Sequence, residues 1–462
     1  MSPIRDLALV ATLFFLVPVS FFRPWIGVLA WFWVAYFVPQ SFTWGFGRNL
    51  PVAMVVALAT LLGYVMSSEG KKPLPRTASV LFLALFSVHV TVSTLLAYDP
   101  TMAWGKWDWV CKSLLMTFVT MVLFQERGRL RWLYVVSAVS LGLHGLKGGL
   151  WVLRTGGGER VYGPERSFFW DNNTLGLALC MILPTLLYLS REEERVWLKR
   201  TMRVIFAFSI IAILFTYSRG AFIGLLLVLT GLVWRSPWRW RFAAGAIVLS
   251  LVVMAVMPAR LRDRISSIGE QRSAETRDIS VAGRVEAWET AAQIAVQHPF
   301  FGEGFRALWA PELWTKFYGM DFRAARDAHS LYFEVMAEHG FLGLGLYLVV
   351  VGDTLIILTR VRRRWKDDPK HGHLSRYAEM TRLGLVPYLV SGASLGVAYF
   401  DLYFLMVGTS AILWSLSEQA VAEEKAAQPQ TVGSRRALAP PRATARTLGR
   451  ARRPGLQQPE RA

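Results

Sequence analysis

Residues 323–351 read RAARDAHSLYFEVMAEHGFLGLGLYLVVV, so that a charged segment passes through one histidine, His329, into a long apolar run. An apolar run of about 20 residues can cross some 30 Å of hydrocarbon as a helix, because each residue adds about 1.5 Å. The stretch therefore predicts a membrane-spanning helix with a titratable ring at its mouth.

Similar apolar runs recur along the 462-residue chain, which is 53% hydrophobic and only 18% charged. A water-soluble fold of this size rarely has that composition. We predict an all-α polytopic integral membrane protein with about thirteen candidate membrane spans. The candidate segments are 7–22, 25–38, 50–66, 78–97, 107–124, 131–150, 172–189, 203–217, 220–234, 241–257, 331–358, 383–399 and 401–417.

Lysine and arginine collect in alternate loops, such as EGKKPLPR (69–76) and RVRRRWKDDPKHGHLSRYAEMTR (360–382). The positive-inside rule makes these loops cytoplasmic, so much of the net charge of +19 reflects topology and not a nucleic-acid partner. His371 and His373 lie in the second loop and are expected to be solvated. Thirteen crossings with a cytoplasmic tail would put the N-terminus outside, so we suspect that one of the first two segments is re-entrant or miscounted.

The chain divides into an N-terminal transmembrane bundle (1–257), a periplasmic helical loop (258–330), C-terminal transmembrane helices (331–417) and a disordered basic cytoplasmic tail (418–462). Within the loop, apolar residues at helical spacing predict an amphipathic helix that begins at Arg284 and stops at Pro299. These residues are Val285, Trp288, Ala292 and Ala295.

Two arginines are predicted to lie at one level, the outer membrane surface. Arg219 begins a span in TYSRGAFIGLLL (216–227), and Arg284 begins the amphipathic helix. A guanidinium can bind a phosphate through a planar fork of donors and stays charged at any relevant pH. The alternative is that each arginine only reaches out to lipid headgroups.

His329 is the candidate base, because neutral imidazole accepts protons well near pH 7. A structural histidine is the alternative interpretation. Helical spacing would put Phe333, Met336 and Gly340 on the same face as His329 and Glu338 on the opposite face, which makes Glu338 a poor partner. Gly340, with two further glycines, would let another helix pack closely.

Three motifs in this order resemble those of bacterial O-antigen ligases: SRGAFIGL (218–225), GRVEAW (283–288) and HSLYFEVMAEHGFLG (329–343). The segment RVYGPERSFFWDNNTLGLALCMILP (160–184) further resembles the branch of O-glycosylation ligases that accompanies exosortase systems. The resemblance covers the chain from about residue 20 to 417.

This resemblance implies a GT-C-like fold of about twelve helices with a helical periplasmic lid, and an active site that faces the periplasm. It implies transfer of a glycan from undecaprenyl diphosphate to an acceptor hydroxyl, with lipid A-core of lipopolysaccharide favoured. Arg219 and Arg284 would then hold the diphosphate, and His329 would act as general base with inversion. The chain has no Asp-x-Asp sequence, so we expect a metal-independent reaction without a cofactor.

Four further basic residues are possible substrate-binding groups, with interfacial anchoring as the alternative: Lys147, Arg154, Arg160 and Arg166. Asp171, Asn172 and Asn173 are expected to cap the following helix. A protein O-glycosylation ligase or a polysaccharide polymerase would use the same donor and stays open. A lipid-linked glycan flippase is less favoured, because the polar residues gather at one membrane face and not at mid-membrane. If the chain were a scaffold protein of a secretion system, nothing would explain why Arg219, Arg284 and His329 are predicted to lie at one membrane level.

Overall fold

The computed structural model describes residues 4–67, 71–234, 274–318 and 327–427, and the regular structure in these ranges is helical. Contacts divide the chain into two units, 1–420 and 421–462, and of the second only the end of the last helix is described. The α-helices are α1 Ile4–Phe22, α2 Pro24–Phe37, α3 Val52–Met66, α4 Ala78–Leu95, α5 Pro100–Leu123, α6 Arg127–Thr155, α7 Asn172–Glu192, α8 Val196–Phe215, α9 Arg219–Trp234, α10 Ala274–Gln297, α11 Pro311–Tyr318, α12 Leu331–Arg364, α13 Gly372–Ser391 and α14 Asp401–Ala427.

Five helices, α1, α4, α6, α7 and α12, are long and apolar enough to cross a membrane, and α2, α3 and α9 are apolar but shorter. Many outward side chains are large and apolar, including Phe14, Leu62 and Val88, as a lipid-facing surface requires. An all-helical membrane protein is therefore confirmed. Twelve of the predicted segments each overlap a helix, the segment 241–257 lies outside the described residues, and the number of spans stays a prediction.

The basic loops that the structure describes meet at one end of the bundle, which we call the basic end. There Lys72 Nζ donates to the Gln125 carbonyl at 2.8 Å, Arg131 pairs with Glu193, and Arg376 pairs with Glu192. The prediction that these loops share one side is therefore confirmed. That this side is the cytoplasm stays a prediction.

The opposite end, which we call the histidine end, also holds the start of α1. The Asp6 carboxylate accepts the N–H groups of Gly45 (3.2 Å) and Gly47 (2.6 Å), in the loop between α2 and α3. The next helix, α2, starts at the basic end, where Arg129 lies over the Trp25 ring, and runs back to the histidine end. Both segments are continuous antiparallel helices, α2 has only 14 residues, and whether one of the two is re-entrant stays a prediction.

The outer-loop helix is longer than predicted, because α10 begins at Ala274 and not at Arg284. A single glycine at 283 does not interrupt it, since glycine inside a helix costs only about 1 kcal/mol. Its end at Gln297, just before Pro299, is confirmed. The predicted apolar face is confirmed for Ala295, which is buried, and for Ala292, which packs against the same core, but Val285 is 41% exposed. The buried apolar residues are Ala287, Ala291, Ile294 and Ala295.

Two C-terminal predictions need correction. The segment 383–399 is not one span: α13 occupies Gly372–Ser391, and residues 395–400 form a loop whose carbonyls at Val397 and Ala398 accept from Tyr388 Oη. The last helix, α14, continues past the predicted end at 417 to Ala427. The remainder of the predicted tail lies outside the described residues.

His371 and His373 are buried, so the expectation that they lie in a solvated stretch is wrong. They stand at the start of α13, where the His371 ring lies 4.9 Å from Trp365 and the His373 ring 6.0 Å from Tyr377. Burial, aided by the nearby charge of Arg127, lowers the pKa of His373 to about 4. The basic end therefore contains a packed layer beneath its charged surface.

Candidate functional site

His329 lies at the mouth of α12 but outside the helix. Its backbone is left-handed, with φ +46°, and Ser330 is the N-cap residue before Leu331. The predicted common face with Phe333, Met336 and Gly340 is therefore wrong, because the helical register begins only after the histidine. This backbone conformation is uncommon for a residue with a side chain, and such strain often marks functional positions.

The exposed His329 side chain lines a cavity of about 640 Å³ at the histidine end. That volume is in the range of small-molecule sites. Two cationic side chains, Lys106 and Arg306, line it as well. The remaining lining residues are Gly105, Trp109, Ser167, Phe168, Trp170, Asp171, Asn173, Thr174, Trp309, Asp327, Leu395 and Gly396.

Lys106 enters this cavity from α5 and is held by two carboxylates of α12. Its Nζ lies 2.8 Å from Glu334 Oε1 and 2.8 Å from Glu338 Oε1, and the three side chains are 13%, 16% and 5% exposed. The ammonium also lies 4.5 Å from the centre of the Tyr399 ring. Buried charges are tolerated when they are paired and hydrogen-bonded in this way.

Glu338 connects this ion cluster to Arg306. Glu338 Oε1 accepts the Arg306 backbone N–H at 2.7 Å, and Oε2 accepts Tyr399 Oη at 2.7 Å. The Arg306 backbone is left-handed, with φ +61°, and its guanidinium lies 5.2 Å from the centre of the Trp309 ring. Glu338 is therefore not a partner of His329, which agrees with the sequence prediction. Instead it holds the backbone of Arg306, a second cationic residue of the cavity.

A break in α12 makes room for the turn that precedes Arg306. Gly340 has φ +68° and non-helical geometry, and the carbonyls of Ala337 and Glu338 accept from Glu303 N (3.1 Å) and Gly304 N (3.0 Å). Gly340 thus receives a backbone turn and not a neighbouring helix, contrary to the prediction. A Cβ on Gly340 would lie 2.5 Å from the Pro299 carbonyl oxygen.

The two predicted diphosphate ligands reach the histidine end but do not line the cavity. Arg219 is the exposed first residue of α9, and the carbonyl of the next residue, Gly220, accepts from Ser391 Oγ at 2.7 Å. The turn at 392–394 leads from Ser391 directly to Leu395 and Gly396 in the cavity wall. Arg219 therefore lies beside this wall.

Arg284 is half-buried on α10, one turn before Trp288. The Trp288 indole N–H donates to the carbonyl of Ala328 at 2.9 Å, and its ring stacks on Phe333 at 5.1 Å. Ala328 immediately precedes His329. The structure therefore attaches the helix of Arg284 to the segment that carries the histidine.

The four secondary candidates separate. Arg166 Nη1 donates to Asn49 Oδ1 at 2.9 Å and lines a neighbouring apolar cavity of about 560 Å³, which shares Trp109, Ser167 and Phe168 with the first. The Lys147 ammonium lies 5.3 Å from the centre of the Phe42 ring. Arg154 and Arg160 are exposed. The last three line neither cavity.

The predicted cap of α7 is confirmed for Asp171, whose Oδ1 accepts the N–H groups of Asn173 (2.8 Å) and Thr174 (3.2 Å). Asn172 instead donates from Nδ2 to the Thr216 carbonyl. The cap places Asp171 and Asn173 in the cavity wall. Across the described ranges, no group of three or more His, Cys, Asp and Glu side chains is arranged to hold a metal ion.

Sequence reasoning missed Lys106, Arg306, Glu334 and Glu338. The available signal was charge beside or within apolar runs, because an ionisable residue at membrane depth is usually paired and functional. Lys106 follows AWG before an aromatic run, and Glu334 and Glu338 stand one helical turn apart. The partner of each could not be read from the sequence, since 228 residues separate Lys106 from Glu334.

The fold and the site define a helical membrane protein with a polar, cation-lined cavity at one end. Residues 204–348, which contain Arg219, Arg284 and His329, match the family described as O-antigen ligase. Residues 4–194 match a family of unknown function, DUF5935. No curated protein matches the chain.

The chain therefore carries an O-antigen ligase-type domain. This family implies a glycosyltransferase-like enzyme, with a lipid-linked glycan as donor and a polysaccharide or lipid as acceptor.

Proposed function

We propose that the chain transfers a glycan from undecaprenyl diphosphate to an acceptor hydroxyl, with the chemistry in the cavity that His329 lines. The observation that carries this proposal is the meeting of one histidine, His329, with the guanidinium group of Arg306 in a cavity at one end of the bundle. A base and positive charge are the two requirements for displacement of a diphosphate by a hydroxyl.

In the proposed reaction, the acceptor oxygen attacks the anomeric carbon while its proton passes to a ring nitrogen of His329. The bond from that carbon to the diphosphate oxygen breaks, and its electron pair leaves with the diphosphate. Attack from the face opposite the leaving group inverts the anomeric carbon. The exposed ring is open to an acceptor hydroxyl at this position.

Positive charge stabilises the departing diphosphate. Arg219 and Arg284 are proposed to hold it, since the segments that carry them border the cavity, and Arg306 adds a guanidinium in the wall itself. Lys106 is already neutralised by Glu334 and Glu338, so its role is to hold the wall. Arginine would thus supply the charge that a divalent cation supplies in other transferases.

The favoured acceptor is lipid A-core of lipopolysaccharide, and the cavity would face the periplasm of the inner membrane. The match to the O-antigen ligase family supports this choice. A protein serine or threonine, or a second glycan chain, would present the same hydroxyl to His329. These acceptors define the protein O-glycosylation ligase and the polysaccharide polymerase as alternatives.

The test is a transfer assay with the full chain in nanodiscs and an undecaprenyl-diphosphate-linked glycan. Lipid A-core, a serine- and threonine-containing peptide and a free glycan are offered separately, and products are read by mass spectrometry. We expect an inverted product on lipid A-core that forms equally well in excess EDTA. Product on the peptide or glycan alone would select the corresponding alternative. No product with any acceptor, or activity that requires added magnesium or manganese, would contradict the proposal.

A further inference from the structure

A second polar cavity, of about 460 Å³, lies at the basic end of the bundle, and we call it the arginine cavity. Its lining residues are Arg127, Arg131, Arg191, Glu192 and Arg376. They come from the start of α6, the last turn of α7 and the start of α13. Three helices thus bring four guanidinium groups and a single carboxylate to one cavity.

Carboxylates neutralise only part of this charge. Arg376 pairs with Glu192, and Arg131 pairs with Glu193 beside the cavity. Within the described part of the chain, Arg127 and Arg191 have no carboxylate partner, and Arg191 lies 5.9 Å from the centre of the Tyr188 ring. Two guanidinium groups therefore keep their donors for an anion.

The start of α6 adds to the positive potential independently of the side chains. Arg127 is the first residue of α6, and the N-cap residue, Glu126, makes no side-chain capping hydrogen bond. Its carboxylate turns instead to Arg129 Nε at 3.2 Å. The first N–H groups of a helix without such a cap favour an anion, as does the helix dipole.

The arginine cavity is remote from His329. α7 has 21 residues and begins directly after its N-cap residue Asp171, which lies in the wall of the His329 cavity, so the other end of α7 is about 30 Å away. That length is the thickness of the hydrocarbon layer, which puts the arginine cavity at the headgroup level of the other leaflet. Trp197, 65% exposed at the start of α8, is the residue type that favours this level.

We propose that the arginine cavity binds the phosphate group of an anionic lipid headgroup in the leaflet at the basic end. Planar guanidinium donors from three helices suit the oxygens of a phosphate, and one bound phosphodiester, with its single negative charge, could accept hydrogen bonds from Arg127 and Arg191 together. This site is separate from the transfer reaction and does not depend on it. Free phosphate offers the same oxygens, so the experiment must separate the two sources.

The experiment measures lipid retained by the purified full chain, by native mass spectrometry after exchange into detergent with phosphatidylglycerol or phosphatidylcholine. The test variant is Arg127→Gln with Arg191→Gln. The matched control is Arg200→Gln with Arg203→Gln, which removes the same charge from exposed positions in the first turns of α8, outside the cavity. We expect the wild-type chain and the control to retain phosphatidylglycerol over phosphatidylcholine, and the test variant to lose about tenfold in affinity.

Competition with inorganic phosphate identifies the source. Phosphatidylglycerol that stays bound in excess phosphate supports a lipid headgroup as the ligand. If inorganic phosphate displaces phosphatidylglycerol from the wild-type chain but has no such effect on the test variant, the arginine cavity is a site for free phosphate. Equal retention of the two lipids by the wild-type chain, or equal loss of phosphatidylglycerol in both double variants, would overturn the proposal.

Discussion

At the histidine end Lys106 is buried between Glu334 and Glu338, whereas at the basic end Arg127 and Arg191 reach a cavity without a carboxylate partner among the described residues. The first arrangement fixes charge inside a wall. The second leaves charge available to an outside anion. Charge alone therefore does not indicate a ligand site, and the partners of each charged group decide what it can do.

The two ends of the bundle also differ in backbone geometry. The histidine end contains the left-handed residues Arg166, Arg306 and His329, together with the break at Gly340. At the basic end, α6 and α13 simply begin and α7 ends. Irregular backbone is costly at membrane depth unless it is buried in protein or lines a cavity. The histidine end is thus the part of the fold where conformational strain accompanies a polar site.

The largest effect should come from breaking the buried ion cluster. Lys106→Met leaves two carboxylates without a cation, so we expect a loss of about 3–5 kcal/mol in the free energy of unfolding in detergent. The control is Lys112→Met on the same helix, whose ion pair with Asp108 is more than half exposed and should contribute less than about 1 kcal/mol.

A double variant keeps this prediction testable if Lys106→Met does not fold. Lys106→Met with Glu338→Gln should recover part of the lost stability, because one of the two uncompensated charges is removed. Equal losses for Lys106→Met and Lys112→Met would show that burial does not distinguish the two ion pairs.

A smaller loss is expected at the break in α12. Gly340→Ala places a methyl group 2.5 Å from the Pro299 carbonyl oxygen at a positive φ, which should cost about 2–3 kcal/mol. The control is Gly345→Ala in the same helix, where no atom lies within 4 Å of the new methyl group, and stability should stay equal or rise. Thermal unfolding followed by circular dichroism compares the two. A neutral Gly340→Ala variant would mean that the turn at 299–304 is not held by this break.

Arg306→Lys keeps the charge of the cavity wall and the backbone hydrogen bond to Glu338, but loses the planar fork. We expect transfer to fall by about tenfold at unchanged stability, since a charged hydrogen bond contributes about 1.5–3 kcal/mol. Arg154→Lys, on an exposed residue that lines neither cavity, should transfer at the wild-type rate. If Arg154→Lys lost transfer and Arg306→Lys did not, the donor site would lie at the end of α6 and not in the His329 cavity.

The smallest effect concerns acid stability at the basic end. Burial lowers the pKa of His373 to about 4, whereas a histidine in the unfolded chain titrates near about 6.5. The unfolded chain then binds more protons between these values, so folded stability falls as the pH drops through this window. His373→Gln should therefore lose less stability than the wild-type chain between pH 7 and pH 5. The measurement compares the melting temperatures of the wild-type chain and His373→Gln at pH 7 and at pH 5. Equal decreases in the two proteins would contradict the lowered pKa of His373.

Sequence patterns predicted helices, the grouping of basic loops and the cap of α7, because apolar length, charge bias and capping are local or compositional properties. They did not predict that α12 is interrupted. The glycines of α12 are compatible both with close packing of another helix and with a break in α12. The break at Gly340 depends on the turn at 299–304, which lies far from it in the sequence.

The candidate site was predicted only in part. Motifs identified His329, Arg219 and Arg284, which the structure brings to one end, but the cavity wall is built by Lys106 and Arg306. Their positions depend on Glu338, which is 232 residues from Lys106 in the chain. Such a pairing has no local signature. The buried state of His371 and His373 was also missed, because the basic loop that contains them packs its aromatic rings together beneath the charged surface.

The most direct test of the central claim is donor binding measured beside transfer rate for His329→Ala in nanodiscs, with the undecaprenyl-diphosphate-linked donor. If the ring is the base and does not hold the diphosphate, the variant should bind donor with nearly wild-type affinity while its transfer rate falls by about 10² to 10⁴. Arg219→Lys and Arg284→Lys should instead weaken both donor binding and transfer. A folded His329→Ala variant that binds and transfers like wild type would show that His329 only ends a loop at the mouth of α12.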